Sequence, residues 1–246
     1  PYCPPAPYDR IYDPDSMPLP NRREDELSDL APFFQQAYES GIRLSGRIER
    51  PSRQTDAQLR EIIAHTFGMI HFIDEQVGRI LDTLEAQGLR ENTIVIFMSD
   101  HGDMLGDHWL LNKGPFHFEG LLRIPYIWSW PGRFEEGRVT ESLASLLDFA
   151  PTILDLCGVS IPEGATPPVV EAKQQLDPWP GNSLAPILRS EADSAQDVVL
   201  VENDEDYLGL KLRTIITERY KMTVYQGQPF GAVSYTHLRA HETHND

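Results

Sequence analysis

The chain is poor in cysteine, in positive charge and in long apolar runs. Only Cys3 and Cys157 occur in 246 residues, too few for a disulfide framework or a cysteine-rich tetrahedral zinc site. Lysine and arginine number 21 against 38 aspartates and glutamates, a formal net charge of −17. That balance argues against nucleic acid and anionic membranes as partners. It also requires positive charge to be concentrated locally wherever an anionic substrate binds. No apolar run approaches the roughly 20 residues that span a bilayer. The G-x-S-x-G elbow of many serine hydrolases is lacking as well. The sequence opens on Pro1 with no signal peptide in view, so it carries no indication of compartment, and oligomeric state has no signature.

What is there suits a globular α/β protein. Residues Thr55 to Gln87 carry apolar side chains at Leu59, Ile62, Ile63, Phe67, Ile70, Ile73, Val77, Ile80, Leu81 and Leu84. That three-and-four spacing predicts one long helix packed against a sheet. Thr55 with Gln58 forms a capping box, and Gly88 supplies the stop. His65, His71 and Asp74 lie in or beside the apolar stripe, and the pattern assigns them to a core helix rather than to a ligand set.

Thr93 to Met98 follows as an unbroken β-branched and aromatic run, the pattern of a strand buried on both faces. At its carboxyl end the chain turns polar, as Ser99-Asp100-His101-Gly102-Asp103. Ligands of open α/β sheets collect beyond the carboxyl ends of strands, so a carboxylate beside an imidazole here suits a metal or catalytic site, with Gly102 allowing the turn. Ser99, Asp100 and His101 cannot converge as a triad, because successive residues on extended backbone face opposite ways. Lys113 lies thirteen residues past Asp100, after Gly106-Asp107-His108, and offers a cation for a bound anion.

The ordered set SDHGDMLGDHWLLNKGPFHFEGLLRIPYIWSWPG, continued by DFAPTILDLCGV and PGNSLAPIL, resembles the carboxyl-terminal metal-site segment of the sulfatase family, within the alkaline-phosphatase-like superfamily. The resemblance covers most of residues 55 to 225. It implies an α/β fold: a partial alkaline-phosphatase-like sandwich, with a mixed sheet flanked by helices and a small antiparallel carboxyl-terminal sheet. The partial domain would span residues 1–232, with the carboxyl-terminal subdomain at about 198–230. Asp100 matches the metal-coordinating aspartate and His101 the neighbouring ligand position. Lys113 matches the lysine that contacts the sulfate and the leaving oxygen. The implied metal is divalent, calcium by its preference for oxygen, with manganese open because His101 supplies nitrogen. His108 either faces the substrate or makes a structural hydrogen bond in its loop. His117, between two phenylalanines, reads as packing. Asp103 and Asp107 read as turn and cap residues, and Arg123 as a structural ion pair.

Sulfatases carry Cys-x-Pro-Ser-Arg, whose cysteine becomes the formylglycine nucleophile. Pro51-Ser52-Arg53 supplies the last three letters, but the cysteine position holds Glu49. Cys3 is followed by Pro4-Pro5-Ala6-Pro7, so neither can be the nucleophile. The Pro- and Tyr-rich stretch from Pro1 to Pro20, read as an irregular surface segment, falls in sulfatases after the nucleophile. The resemblance therefore implies a fragment of a sulfuric ester hydrolase, inactive as it stands, with formylglycine in the missing region and a small anionic sulfate ester as substrate. A phosphonate or phosphodiester hydrolase of the superfamily is the alternative; a non-catalytic metal-dependent binding protein is another. Two-metal phosphatases and phosphoglycerate mutases fit less well, given Lys113 and the RIP…PG segment.

The remaining elements are a helix from Asp148 to Cys157 ended by Gly158, with Cys157 a buried small hydrophobe, and a surface loop at 159–182. Strands follow at Val198–Glu202, Lys211–Thr217 and Tyr220–Tyr225, the last two forming a hairpin. The acidic cluster from Glu202 to Asp206 reads as a solvated turn. Residues 233–246 resemble translated sequencing-adaptor read-through. They are set apart as non-native, although His237, His241 and His244 fall at helical spacing.

Overall fold

A computed structural model describes residues 2–20, 22–44, 47–160, 181–205, 210–226 and 233–234. In chain order the elements are α1 (Glu26–Asp29), α2 (Pro32–Ser40), β1 (Ile42–Leu44), β2 (Arg47–Glu49), α3 (Asp56–Ala86), β3 (Val95–Met98), α4 (Glu119–Leu122), β4 (Tyr126–Ser129), α5 (Phe149–Leu156), α6 (Ala185–Leu188), β5 (Val198–Glu205), β6 (Leu210–Thr217), β7 (Lys221–Gln226) and β8 (Val233–Ser234). The loop expected at 159–182 and the tail histidines lie almost wholly outside the described residues. Strand pairing runs two residues into the tail segment, through Val233 and Ser234 on β7.

The long helix forms where its punctuation sets it. Thr55 Oγ1 accepts the Gln58 N–H at 3.2 Å, while Gln58 Oε1 accepts the Thr55 N–H at 3.0 Å. Gly88, at φ +67°, turns the chain out of the helix. Burial, however, stops halfway. Leu59, Ile63, Ala64 and Gly68 are buried, but Phe67, Ile70, Ile73 and Ile80 are exposed. The expected core helix is thus a core element in its first half only. The amino-terminal segment packs along the middle of the helix: Tyr8 donates to Glu75 at 2.5 Å, and Tyr12 pairs with His71. A methyl at Gly68 would run into the Tyr8 carbonyl, so this mid-helix glycine is a close-approach site.

Among the described residues β3 pairs with β4 alone, antiparallel, with Phe97 opposite Ile127 and Met98 opposite Tyr126. Phe97 and Ile127 are both exposed. The strand is therefore covered on one face, where Trp128 meets Phe149, and not on both as its composition suggests. The carboxyl-terminal sheet runs β5-β6-β7-β8, antiparallel throughout. Glu202 and Asp204 belong to β5 rather than to a turn, because Arg213 on β6 binds both carboxylates. Helix α5 begins and ends as its sequence directs, with Gly158 at φ +69°. Cys157 is exposed, since as the cap residue it falls beyond the buried Leu156. Buried Asp148 accepts from the Ser145 and Asn182 backbones and from the Gln196 amide, tying residues 181–196 to α5.

The main core gathers Leu27, Phe33, Phe34, Met104, Leu110, Phe116, Phe118, Leu121, Leu212 and Tyr225. Helices α1 and α2, the loop after β3 and the carboxyl-terminal sheet each contribute. Phe34 stands within 6.1 Å of the ring centroids of Phe116, Phe118 and Tyr225. Each such side chain buried stabilises by about 1.5–3 kcal/mol. A smaller cluster of Met17, Leu59, Ile63, Ala64 and Leu111 joins α3 to the same loop. Both cores thus converge on residues 104–121, the stretch that follows the candidate site.

Candidate functional site

The site begins where β3 ends. Asp100 Oδ1 accepts the His101 N–H at 3.0 Å, and Ser99 Oγ donates to the His101 carbonyl at 2.7 Å. These two contacts fold the chain sharply at the strand end. Gly102 completes the turn for a reason other than torsional freedom. Its N–H donates to the Leu121 carbonyl at 3.0 Å, and a methyl there would collide with the Gly120 carbonyl. The absence of a Cβ lets the site loop press against α4.

The imidazole of His101 is oriented from one side. Nδ1 lies 2.7 Å from the Gly102 carbonyl, which can only accept, so Nδ1 carries a proton and, in the neutral ring, Nε2 holds the lone pair. Nε2 faces Lys113 Nζ at 3.0 Å and Asp100 Oδ2 at 3.5 Å. Desolvation works against the Asp100 charge. The His101 charge, the His101 backbone N–H and the Lys113 ammonium outweigh it and hold the carboxyl below the usual aspartate range. Asp100, His101 and Lys113 therefore come together as one cluster. Asp100 is 81% exposed, open to a ligand arriving from outside the described residues.

His108 stands in a different group. Its Nδ1 meets Glu26 Oε1 at 2.5 Å, and its ring stacks on Phe118 with centroids 3.9 Å apart. The geometry thus displays the structural hydrogen bond, one of the two roles open to this residue. Asp107 is held near His108 and Glu26; burial raises its carboxyl pKa, with the His108 charge pulling it down and the Glu26 charge adding to the rise. Asp103 makes the expected turn, accepting the Leu105 N–H at 2.9 Å, and it also accepts the Tyr2 hydroxyl at 2.8 Å. Arg123 is exposed and makes no ion pair among the described residues, which removes the structural pair expected of it. His117 is buried as expected, with desolvation first and then Lys221 and Arg213 pushing its pKa down to about 4.

Leu105, His108, Trp109 and Asn112 all adopt positive φ, from 43° to 63°. Such strain in non-glycine residues clusters at functional sites. Here the tertiary anchors hold it: Glu26 on His108, the Arg23 carbonyl on Trp109 Nε1 at 2.9 Å, and Tyr2 on Asn112 at 2.9 Å. Glu26, Tyr2 and Asn112 are support residues that the sequence did not point to. Glu26 lies 82 positions from its partner, and no local pattern could signal that pairing.

Two family models match, each over more than half of the chain. The sulfatase model covers residues 18–159, and the model for the carboxyl-terminal part of N-sulphoglucosamine sulphohydrolase covers 106–230. The chain belongs to the sulfatase family. An arylsulfatase of Clostridium perfringens is 41% identical over 43% of this chain and 22% of its own length. The multifunctional alkaline phosphatase superfamily protein PehA of Trinickia caryophylli is 31% identical over 66% of this chain and 32% of its own. The solved phosphonate monoester hydrolase of Agrobacterium radiobacter overlays with a TM-score of 0.74 at 28% identity, covering 91% of this chain and 46% of that one. This sulfatase chain therefore spans less than half the length of these relatives. The overlay bears out the alkaline-phosphatase-like α/β fold with small antiparallel sheets.

The sulfatase family generally uses a divalent metal and formylglycine, so the donors present can be tested for fit. Among the described residues no group of three or more His, Cys, Asp or Glu side chains could hold a metal ion. Asp100 Oδ2 and His101 Nε2 do lie 3.5 Å apart, and the Nδ1 contact to Gly102 leaves Nε2 free of the proton in the neutral ring, the tautomer a metal needs. Lys113 Nζ now serves as the cation at that lone pair. The two donors fit a divalent ion as part of its ligand set, and two are too few to hold a hard ion tightly.

Proposed function

We propose that the chain is the carboxyl-terminal portion of a metal-dependent sulfuric ester hydrolase and is inactive alone, because the formylglycine segment lies outside it. The observation that carries this reading is the Asp100–His101–Lys113 cluster at the carboxyl end of β3, on a chain whose family is shown. Asp100 and His101 would hold one side of a divalent cation, calcium by the carboxylate donor, with manganese open through the imidazole. Such a cation would supply Lewis-acid charge to the ester's anionic oxygens. Lys113 is the residue of this chain that acts on substrate. Its ammonium donates to a sulfate oxygen and, by donating to the ester oxygen as the S–O bond breaks, offsets the charge on the departing alcohol. His101 keeps Lys113 at the anion's edge. The net charge of −17 makes this local cation decisive for an anionic ligand. His108, tied to Glu26, supports the loop from behind rather than touching substrate. Exposed apolar faces on α3 and on the β3–β4 pair support the fragment reading.

Calorimetric titration with calcium and manganese checks the metal role. The expected result is weak binding that Asp100→Asn abolishes, and metal bound equally well by that variant would sink the assignment. Sulfate-ester turnover by the purified chain, lost in Lys113→Ala, would overturn the claim of inactivity. A phosphonate or phosphate-ester hydrolase is the second reading, favoured by the overlay on the phosphonate monoester hydrolase. Sulfate and phosphonate esters assayed in parallel, on this chain joined to its upstream coding region, separate the two.

A further inference from the structure

The buried imidazole of His117 has no task in the mechanism above, yet it joins two regions far apart in sequence. Its Nδ1 lies 2.6 Å from Thr214 Oγ1, which lies 2.7 Å from Thr223 Oγ1. Thr214 and Thr223 face each other across β6 and β7, and all three side chains are buried. Two residues on, Glu119 accepts the Lys221 ammonium at 2.8 Å. Phe116 and Phe118, flanking His117, enter the same cluster as Leu212 and Tyr225. The carboxyl-terminal sheet thus grips residues 116–119 by a hydrogen-bond chain, an ion pair and aromatic packing. On the other side of Lys113, buried Asn112 accepts the Met104 N–H at its carbonyl, at 2.9 Å. Lys113 is an exposed residue between two fixed ones.

A lysine side chain has many rotamers to choose among, so only a fixed backbone presents its ammonium repeatedly at one place. A phenylalanine at 117 would fill similar space. What an imidazole adds is a directed polar contact inside a dry interface, where leaving the partner unmet is costly. That contact selects one register between sheet and loop. We propose that His117, through the Thr214–Thr223 hydroxyl pair, is a positioning residue by which the carboxyl-terminal sheet sets Lys113 against His101. Its functional meaning rests on the anion-binding reading of Lys113, whereas the latch itself is a property of this chain.

The test uses the full chain with Thr214→Val, which removes the hydroxyl at nearly constant volume, and Thr214→Ser, which keeps it. Amide hydrogen exchange is followed in residues 112–119 and in the first half of α3. Acetylation of Lys113 is measured against exposed Lys211, with and without inorganic sulfate. Thr214→Val should raise exchange in 112–119 and Lys113 acetylation about tenfold, leaving α3 unchanged, while Thr214→Ser stays near the parent. Unchanged exchange in 112–119, or an equal rise in α3, overturns the latch. Where Thr214→Val does not fold, Thr223→Val spares the His117 contact and should give a smaller rise of the same pattern; no rise overturns the proposal. Failure of sulfate to slow Lys113 acetylation in the parent chain overturns the anion reading instead, independently of the exchange pattern.

Discussion

The loop from Asp100 to Leu122 and the second half of α3 are both rich in apolar side chains, and they end in opposite states. The loop is closed from two sides, by α1 and α2 and by the inner face of β6 and β7. Beyond Gly68, α3 leaves Ile70, Ile73 and Ile80 exposed, and the Phe97–Ile127 pair of β3 and β4 is open too. Apolar periodicity states which residues seek cover; it does not state whether the cover is part of the same chain. The proposed remainder of the domain would pack on these open faces, in keeping with the 46% of the phosphonate monoester hydrolase that this chain spans. The candidate site sits at the boundary between the two states, with its support complete and its ligand set partial.

Substitution within the closed half should give the largest effect. Phe34→Ala, at a side chain 1% exposed, is expected to cost about 3–5 kcal/mol in urea denaturation. A loss below about 1 kcal/mol would mean that the aromatic cluster is loose and the contrast false.

Acid should act on the same half. His117 has a folded pKa of about 4 against 6.5 unfolded, so the unfolded chain binds the proton first. Stability is therefore undiminished above pH 6.5 and falls as pH drops from 6.5 towards 4, by about 3 kcal/mol in all. Urea midpoints across that window should decline in the parent and decline less in His117→Gln. Identical slopes would show that this imidazole is not what acid disrupts.

The helix cap should give a smaller change. Thr55→Ala removes the side-chain acceptor that forms one half of the capping box, for about 1 kcal/mol, seen as a lower thermal midpoint and faster exchange in the first turn of α3. Least of all, Ile80→Ser, at a residue 59% exposed, should change stability by no more than about 0.5 kcal/mol. A loss of several times that size would show that α3 is already covered in solution, by a second copy or by residues outside the described set, and would erase the comparison.

Much of the secondary structure was legible locally. Thr55, Gln58 and Gly88 bound α3, and Gly158 ends α5, because caps and stops act within a turn of the chain. The β6–β7 hairpin follows from Glu218-Arg219 between two alternating runs. Asp100, His101 and Lys113 were legible as a spaced set, and folding brings both the Lys113 ammonium and the Asp100 carboxylate within 3.5 Å of His101 Nε2. Glu26 on His108, Tyr2 on Asp103 and Asn112, and Thr214 on His117 were not legible. Each contact spans at least 82 positions and depends on how whole elements dock. Arg213 likewise turned an acidic cluster into a strand, through a partner opposite it in register.

By itself the sequence determined the family, the helix and hairpin boundaries, and the residue types at the strand end, since each depends on local torsions, periodicity or ordered spacing. Tertiary structure alone decided which apolar faces are covered, which nitrogen of His101 holds the lone pair, and that His108 turns to Glu26 while Lys113 turns to His101. Burial and hydrogen-bond partners are properties of surfaces brought together, and a linear pattern specifies the surfaces without specifying what meets them.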